Sequence, residues 1–138
     1  MRGPVSTGAG IVLALSLATA AAATPPLRSA AQRPPQQKQV LTELAYVLGE
    51  SHGLRRLCNG PTDGFWYERM MRLLTVEQPD DGFRRRLTDR FNAGFVAAGA
   101  RFTTCSTESR SAGEDAALRG KSLAARLASS DDNEAVSH

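Results

Sequence analysis

The chain has 138 residues, of which 41% are hydrophobic and 22% are charged, and its formal net charge is +3. A chain of this length fits one small domain, and so mild an excess of positive charge does not require nucleic acid as a partner. Arginine supplies fifteen of the seventeen basic residues, so the cations are mainly planar guanidinium groups, which suit carboxylates and phosphates.

The first 23 residues have the pattern of a secretory signal peptide. Arg2 gives a positive start, residues 11–23 are apolar, and an Ala-x-Ala sequence ends the segment. We predict cleavage after Ala23 or Ala20 and a periplasmic mature protein without a stable membrane span. Retention of the segment as a membrane anchor is the alternative. An Ala-rich segment is less hydrophobic than a permanent membrane span, which needs roughly 20 strongly apolar residues.

Composition divides the rest of the chain into three parts. Residues 24–37 are rich in Pro, Gln and Ala, which predicts a flexible linker. Residues 38–128 are predicted to form the folded helical domain, and the polar residues 129–138 a disordered acidic tail. A domain of about 90 residues has a small core and benefits from a covalent or metal staple.

Two helices are predicted in the first half of the domain. The first ends at Asn59-Gly60-Pro61, and the second starts after Thr62 or Asp63, either of which can cap it, and ends near Pro79. Both show helical spacing of apolar residues. The first has Val40, Leu41, Leu44, Ala45, Val47, Leu48, Leu54 and Cys58, and the second has Phe65, Trp66, Met70, Leu73 and Leu74.

Two further helices are predicted in the second half. The third begins at Pro79-Asp80-Asp81, where acidic residues suit the positive end of the helix dipole, and the fourth begins after Ser106 or Thr107. Their apolar stripes are Phe83, Leu87, Phe91, Phe95, Ala98 and Phe102, then Ala112, Ala116, Ala117, Leu123, Ala124 and Leu127. Asn92 is expected near this core as a hydrogen-bonding group. No segment alternates like a strand, so the fold class is all-α, a small antiparallel four-helix bundle.

The two cysteines are predicted to form one disulfide, Cys58–Cys105, because paired cysteines in an exported chain are normally oxidised. The up-down-up-down topology places Cys58 and Cys105 at the same end of the bundle, where such a bond is geometrically possible. The alternative is a pair of free thiols in a redox or metal site.

The pentapeptide Gly49-Glu50-Ser51-His52-Gly53 matches G-x-S-x-G, the nucleophile elbow of serine esterases. An elbow needs a strand before the serine, whereas these residues lie in a helical pattern and no suitable acid–histidine pair follows. We therefore predict no catalytic residues. The two glycines are expected to allow close helix packing, with a helix bend near His52 as the alternative.

No cofactor or metal site is predicted either. Glu50, His52 and Cys58 are the candidate ligands, but the six-residue spacing of His52 and Cys58 does not place both side chains on one helix face. His52 is expected at the edge of the apolar stripe.

A possible binding surface is formed by His52, Arg55, Arg84, Arg85, Arg86 and Arg90. A run of charges most often lies on a solvated helix face. The alternative is contact with an anionic envelope component, such as phospholipid headgroups or cell-wall polymer, or with an envelope protein.

From Leu41 to Leu127 the chain resembles a family of small exported alphaproteobacterial proteins of unknown function. The resemblance rests on LTELAYVLGESHGLRRLC, FWYERMMRLL, FNAGF, the second cysteine Cys105 and RGKSLAARL. It implies an envelope protein and supports pairing of Cys58 with Cys105, and it supplies no activity. His52, Arg55, Trp66, Met70 and Asn92 fall within the family's pattern.

The sequence thus predicts a non-enzymatic periplasmic module that acts through envelope contacts. Two alternatives stay open: an enzyme or accessory factor acting on cell-wall or lipid material, and a carrier of a metal or small ligand. A carrier is expected to show a cavity, and an enzyme a cleft with converging polar groups.

Overall fold

The structure is a computed structural model that describes residues 3–4 and 29–137. In these residues a short 3₁₀ helix, Ala30–Gln32, precedes four α-helices, and no strand is present. The helices are α1 (Pro35–Asn59), α2 (Phe65–Glu77), α3 (Asp81–Arg101) and α4 (Thr107–Val136). The predicted all-α four-helix bundle is confirmed. The predicted signal peptide lies outside the described residues, apart from Gly3 and Pro4.

Helix α1 lies at the centre of the bundle and contacts each of the other three helices. It packs most extensively on α3, less on α4 and least on α2, while α2, α3 and α4 have little contact with one another. Contacts from Gly49 to Phe91 and from Gly53 to Ala98 show that α3 runs parallel to α1. Contacts from Leu54 to Gly113 and from Val47 to Gly120 show that α4 runs antiparallel, which gives the predicted up-down-up-down order.

Local sequence sets the helix ends. Gly60, with a φ of 99°, ends α1 in a conformation that a residue with a Cβ rarely adopts. The Asp80 carboxylate accepts a hydrogen bond from the Phe83 amide at 2.8 Å and caps α3. Ser106 caps α4 through a reciprocal pair of bonds with Ser109, at 3.1 and 2.8 Å.

The core follows the predicted stripes on α1 most closely. All seven of its predicted aliphatic residues are buried, and α2, α3 and α4 each add a smaller set. That added set is Met70, Leu74, Leu87, Phe91, Ala98, Ala116, Leu123 and Leu127. Central placement of α1 explains the difference, because only α1 has neighbours on three sides.

Four predicted core positions are wrong. Ala124, in the apolar stripe of α4, is exposed. Asn92 is exposed, because it lies about 100° around the helix from the buried Phe91. Phe95 and Phe65 are each 36% exposed. Phe95 sits at the edge of the α1–α3 contact, and Phe65 at the start of α2, where only α1 lies nearby.

Helical structure extends into the described parts of the predicted linker and the predicted tail. Helix α1 begins at Pro35, inside the predicted linker, and α4 continues through Val136, inside the predicted disordered tail. One residue explains both differences. The buried Arg33 side chain forms ion pairs with Glu77 at 2.7 Å and with Asp131 at 3.2 Å, which connect the segment before α1 to α2 and to the last turns of α4.

The disulfide Cys58–Cys105 is present, with an S–S distance of 2.05 Å and 4.9 Å between the Cα atoms. It joins the end of α1 to the segment that follows α3, at one end of the bundle, as the topology predicts. Within residues 29–137 no helix combines the length and apolarity that a bilayer crossing requires.

Candidate functional site

The G-x-S-x-G pentapeptide lies wholly within α1, so Ser51 is not on a strand-to-helix turn. Its two glycines allow α1 and α3 to approach closely. A Cβ on Gly49 would overlap the Phe91 carbonyl of α3, and a Cβ on Gly94 would overlap the Tyr46 carbonyl of α1. A Cβ on Gly53 would lie 2.9 Å from that of Ala98. These residues therefore form an interhelical contact at backbone distance, which is the close packing that the sequence predicts.

His52 lies buried among aromatic rings rather than on an open surface. Its ring centroid is 5.5 Å from Phe95, 5.6 Å from Phe91 and 6.2 Å from Tyr67. Burial lowers the pKa of His52, and the nearby Arg56 lowers it further, while Asp63 opposes the shift. Its Nδ1 atom makes no hydrogen bond with the described residues. His52 is thus a neutral residue between α1, α2 and α3.

The predicted basic residues do not form one surface. Arg55 donates to both Asp63 carboxylate oxygens at 2.9 Å and lies over the Phe65 ring, 4.4 Å from its centroid. Arg90 lies over the ring of Tyr46, at 4.7 Å. The exposed residues Arg84, Arg85 and Arg86 belong to the first turns of α3, whereas Arg55 belongs to the last turns of the parallel helix α1. The two groups therefore lie toward opposite ends of the bundle.

Glu50 has a structural role that the sequence did not reveal. Its side chain is 6% exposed and pairs with Arg119 of α4 at 2.7 Å and with Arg101 of α3 at 3.3 Å. Both arginine side chains are more than half exposed, so the buried Glu50 carboxylate is neutralised by cations that remain in contact with solvent. Glu50 connects three helices. No group of three or more His, Cys, Asp or Glu side chains in the described residues is arranged to hold a metal ion.

An apolar groove lies between α2 and α4 and is called here the α2–α4 groove. Its volume is about 430 Å³, within the range of small-molecule sites. Helix α1 forms the floor with Leu44, Val47, Leu48 and Ser51. Helix α2 forms one wall with Trp66, Arg69, Arg72, Leu73 and Val76. Helix α4 forms the other with Ala116, Ala117, Gly120, Lys121 and Ala124.

The groove exists because α2 and α4 hardly touch, and the α4 wall consists mostly of alanine and glycine. Large side chains there would fill the space over α1. On the floor, the Ser51 hydroxyl is buried and has no hydrogen-bond partner among the described residues. An unpaired buried hydroxyl is costly, which makes this atom the one polar feature of an otherwise apolar floor.

The charged residues that line the groove are all positive: Arg69, Arg72 and Lys121. Arg69 is held in place, because it donates to the Phe65 carbonyl at 3.0 Å and stacks 3.4 Å from the Phe65 ring centroid. Arg72 and Lys121 make no hydrogen bond or ion pair with any residue from 29 to 137. The groove therefore presents three cations without an ion pair. Two of them, Arg72 and Lys121, lie on opposite walls and also make no hydrogen bond with these residues.

The two ends of the groove differ. Beyond Val76 and Ala124, the Arg33 guanidinium joins Glu77 of α2 to Asp131 of α4. The hydrogen bond to Glu77 raises the pKa of Arg33 further. Beyond Trp66, a second cavity of about 320 Å³ continues between the same helices toward Cys58, with Ser51, Trp66 and Ala117 shared between the two. The groove is thus bridged at one end and continuous with a more polar cavity at the other.

Sequence reasoning missed the residues that define this groove. Trp66, Leu73, Ala117 and Ala124 were assigned to the core by their spacing, and Arg69, Arg72 and Lys121 were not singled out. The sequence signal for the groove is the placement of basic residues between apolar positions of α2 and α4, at Arg69, Arg72 and Lys121. That signal does not show that two helices stand apart.

The fold and the site define a small, disulfide-bonded helical protein with a cation-edged apolar groove. Residues 35–130 match the family described as Protein of unknown function (DUF2385), and the chain belongs to that family. No curated protein and no solved structure showed significant similarity to the chain.

Proposed function

We propose that this protein is an exported, non-enzymatic binding module of the cell envelope that receives an apolar group in the α2–α4 groove. The groove is the observation that carries the proposal. It has the size of a ligand site, apolar walls and positive edges, and the two neighbouring cations are free to meet an anion.

Export and a periplasmic location are part of the proposal. The signal-peptide pattern of residues 1–23 supports them, and so does the Cys58–Cys105 bond, because disulfides persist in oxidising compartments. An envelope partner, protein or anionic, is consistent with the positive edges of the groove.

A binding role fits the chemistry of the groove better than catalysis does. The polar atom on its floor is the Ser51 hydroxyl, which lies inside a helix, and the adjacent His52 faces the aromatic rings of α2 and α3 on another side of α1. A serine needs a base within hydrogen-bond reach to act as a nucleophile. Of the open alternatives, the groove favours a carrier of a small ligand over an enzyme.

The test is complementation in the native host. A strain that lacks the gene is supplied with the wild-type protein, with Ala117→Phe, which fills the groove, or with Ala93→Phe, which adds the same side chain at an exposed position of α3. Cells are fractionated, and their growth and envelope permeability are measured. We expect periplasmic protein in all three strains and loss of complementation only with Ala117→Phe.

Cytoplasmic protein with reduced thiols would refute export. Full complementation by a folded Ala117→Phe variant, verified by circular dichroism, would refute the role of the groove.

A further inference from the structure

We propose that the α2–α4 groove binds a single-chain anionic amphiphile, with an alkyl chain along the α1 floor and a carboxylate or phosphate head between Arg72 and Lys121. This inference rests on the proposed function and names the class of ligand. The groove, its charge and its sole tryptophan carry it together.

The dimensions of the groove suit one alkyl chain. From Leu44 to Ser51 the floor extends seven residues along α1, which corresponds to about 10 Å at 1.5 Å per residue. An extended chain advances about 1.2 Å per bond, a third of the advance per extended residue, so about eight or nine carbon atoms cover this floor. The continuing cavity past Trp66 leaves room for a somewhat longer chain.

The apolar walls favour a hydrocarbon over a polar ligand. Leucine, valine and alanine side chains line the floor and both walls, and they offer no hydrogen bonds. Burying each methylene group favours binding, so a chain of this length is held without a specific polar contact.

Charge selects the head group. Arg72 and Lys121 line opposite walls at the Leu44 end of the floor, because both α2 and α4 run antiparallel to α1. Neither is paired with a residue that the structure describes, and no carboxylate lines the groove. An anionic head group there can pair with both cations without breaking an existing ion pair, whereas a cationic head group would be repelled.

Charge also argues against the chain's own N-terminal segment as the occupant. That segment is apolar and precedes Arg33, which lies near the groove, so it has the reach. However, residues 1–37 contain no Asp or Glu, and Arg2 and Arg28 would add positive charge beside Arg72 and Lys121.

The test uses Trp66, the sole tryptophan of the protein, which lines the groove and serves as an intrinsic fluorescent reporter. The disulfide-bonded protein is titrated with dodecanoate and dodecyl phosphate below their micellar concentrations. Dodecyl maltoside is the uncharged probe and dodecyltrimethylammonium the cationic one. Calorimetry gives the stoichiometry. We expect saturable 1:1 binding of both anionic probes, at least about tenfold tighter than that of the cationic probe.

Matched variants locate the site. The double variant Arg72→Glu/Lys121→Glu is expected to weaken dodecanoate binding by at least about tenfold and to leave dodecyl maltoside unaffected. Arg84→Glu/Arg86→Glu makes the same charge change on α3 and is expected to have no effect. Ala117→Phe is expected to abolish binding of every probe, whereas Ala93→Phe is not.

Equal affinity for the anionic and cationic probes would overturn the assignment of the head group. Absence of saturable binding, binding to anionic vesicles alone, or crosslinks that place residues 5–28 in the groove would overturn the amphiphile itself. Loss of complementation by Ala117→Phe without any binding of dodecanoate or dodecyl phosphate would refute this inference and leave the proposed function intact.

Discussion

Helix α1 meets its neighbours in two contrasting ways. Against α3, glycines at Gly49 and Gly94 bring the two backbones into contact. Between α2 and α4, the small residues Ala117 and Gly120 leave α1 covered only by an open groove. The same residue type thus serves opposite purposes. At Gly49 and Gly94 the missing side chain lets the backbone of the neighbouring helix come into contact. At Ala117 and Gly120 no neighbouring group occupies the space, so a groove remains.

The largest expected effect on stability comes from adding a methyl group at the α1–α3 contact, compared with the same change in the wall of the groove. Gly94→Ala places a Cβ against the Tyr46 carbonyl, and a helix backbone cannot move aside without separating α1 from α3. We expect a loss of more than about 4 kcal/mol of unfolding free energy, in the exceptional range for a single substitution. Chemical denaturation followed by circular dichroism measures it.

Two glycines provide the controls. A Cβ on Gly120 would lie 3.4 Å from a Val47 methyl, an ordinary contact, and a Cβ on Gly99 meets nothing within 4 Å. Gly120→Ala and Gly99→Ala are therefore expected to gain up to about 1 kcal/mol from helix propensity. A Gly94→Ala protein as stable as these two would contradict the close contact of α1 and α3.

The next effect concerns the covalent link at the end of the α1–α3 contact. Replacing both Cys58 and Cys105 with serine removes a cross-link with a sequence separation of 47. The chain-entropy estimate for such a loop is about 4 kcal/mol. We expect a lower melting temperature by calorimetry, and the wild-type protein under reducing conditions should match the variant. An unchanged melting temperature would show that packing alone holds α1 and α3 together.

The third effect falls on the open side of the molecule. Arg33→Met leaves Glu77, whose side chain is 4% exposed, without its cation. Removing one partner of a buried ion pair costs roughly 3 kcal/mol. Arg85→Met, at an exposed position of α3, is the matched control and is expected to change stability little.

Hydrogen exchange can show which part of the structure Arg33→Met destabilises. Hydrogen exchange should show the end of α4 losing protection in Arg33→Met, since Asp131 is released with it. Protection that persists there would mean that α4 does not depend on this ion pair.

The smallest effect is a pH dependence at His52, between α1 and α3. Because the pKa of His52 is lowered in the folded state, the unfolded state binds the proton more readily. Stability is therefore present above the unfolded pKa of about 6.5 and declines as the pH falls below it, by at most about 1.4 kcal/mol per pH unit.

Unfolding measured between pH 7.5 and pH 5.5 checks this dependence, with His52→Leu as the comparison. The pKa of Asp63 is also lowered, first by its hydrogen bond from Asn59, so its effect on stability falls below the ordinary carboxyl pKa and outside this window. A wild-type protein whose pH dependence equals that of His52→Leu would contradict the burial of the imidazole.

The contrast between the two regions also marks what the sequence could and could not predict. Helical spacing and cap residues predicted the four helices and the cap at Ser106. The two cysteines of a chain predicted to be exported, together with the order of the helices, predicted the disulfide. These features depend on neighbours along the chain or on the order of the helices. The close contact at Gly49 was predicted as well, because two glycines four residues apart on one helix face have few other uses.

Other features depended on distances between helices, which spacing does not encode. Ala117 and Ala124 have the same periodicity whether α2 covers them or stands apart, so the groove could not be predicted. The ion pairs of Arg33 with Glu77 and Asp131 could not be predicted because these are polar residues far apart in sequence. Polar residues carry no periodic signal for burial, and only the fold shows that they meet.

The disulfide has one further consequence, for the movement of the helices. It closes a covalent ring that contains α2 and α3, while α4 lies outside the ring and is covalently joined to it only at its N-terminal end. Helix α4 can therefore detach as a unit without breaking the α1–α3 contact. In native-state hydrogen exchange we expect its amides to exchange through a sub-global opening of lower free energy than those of α1.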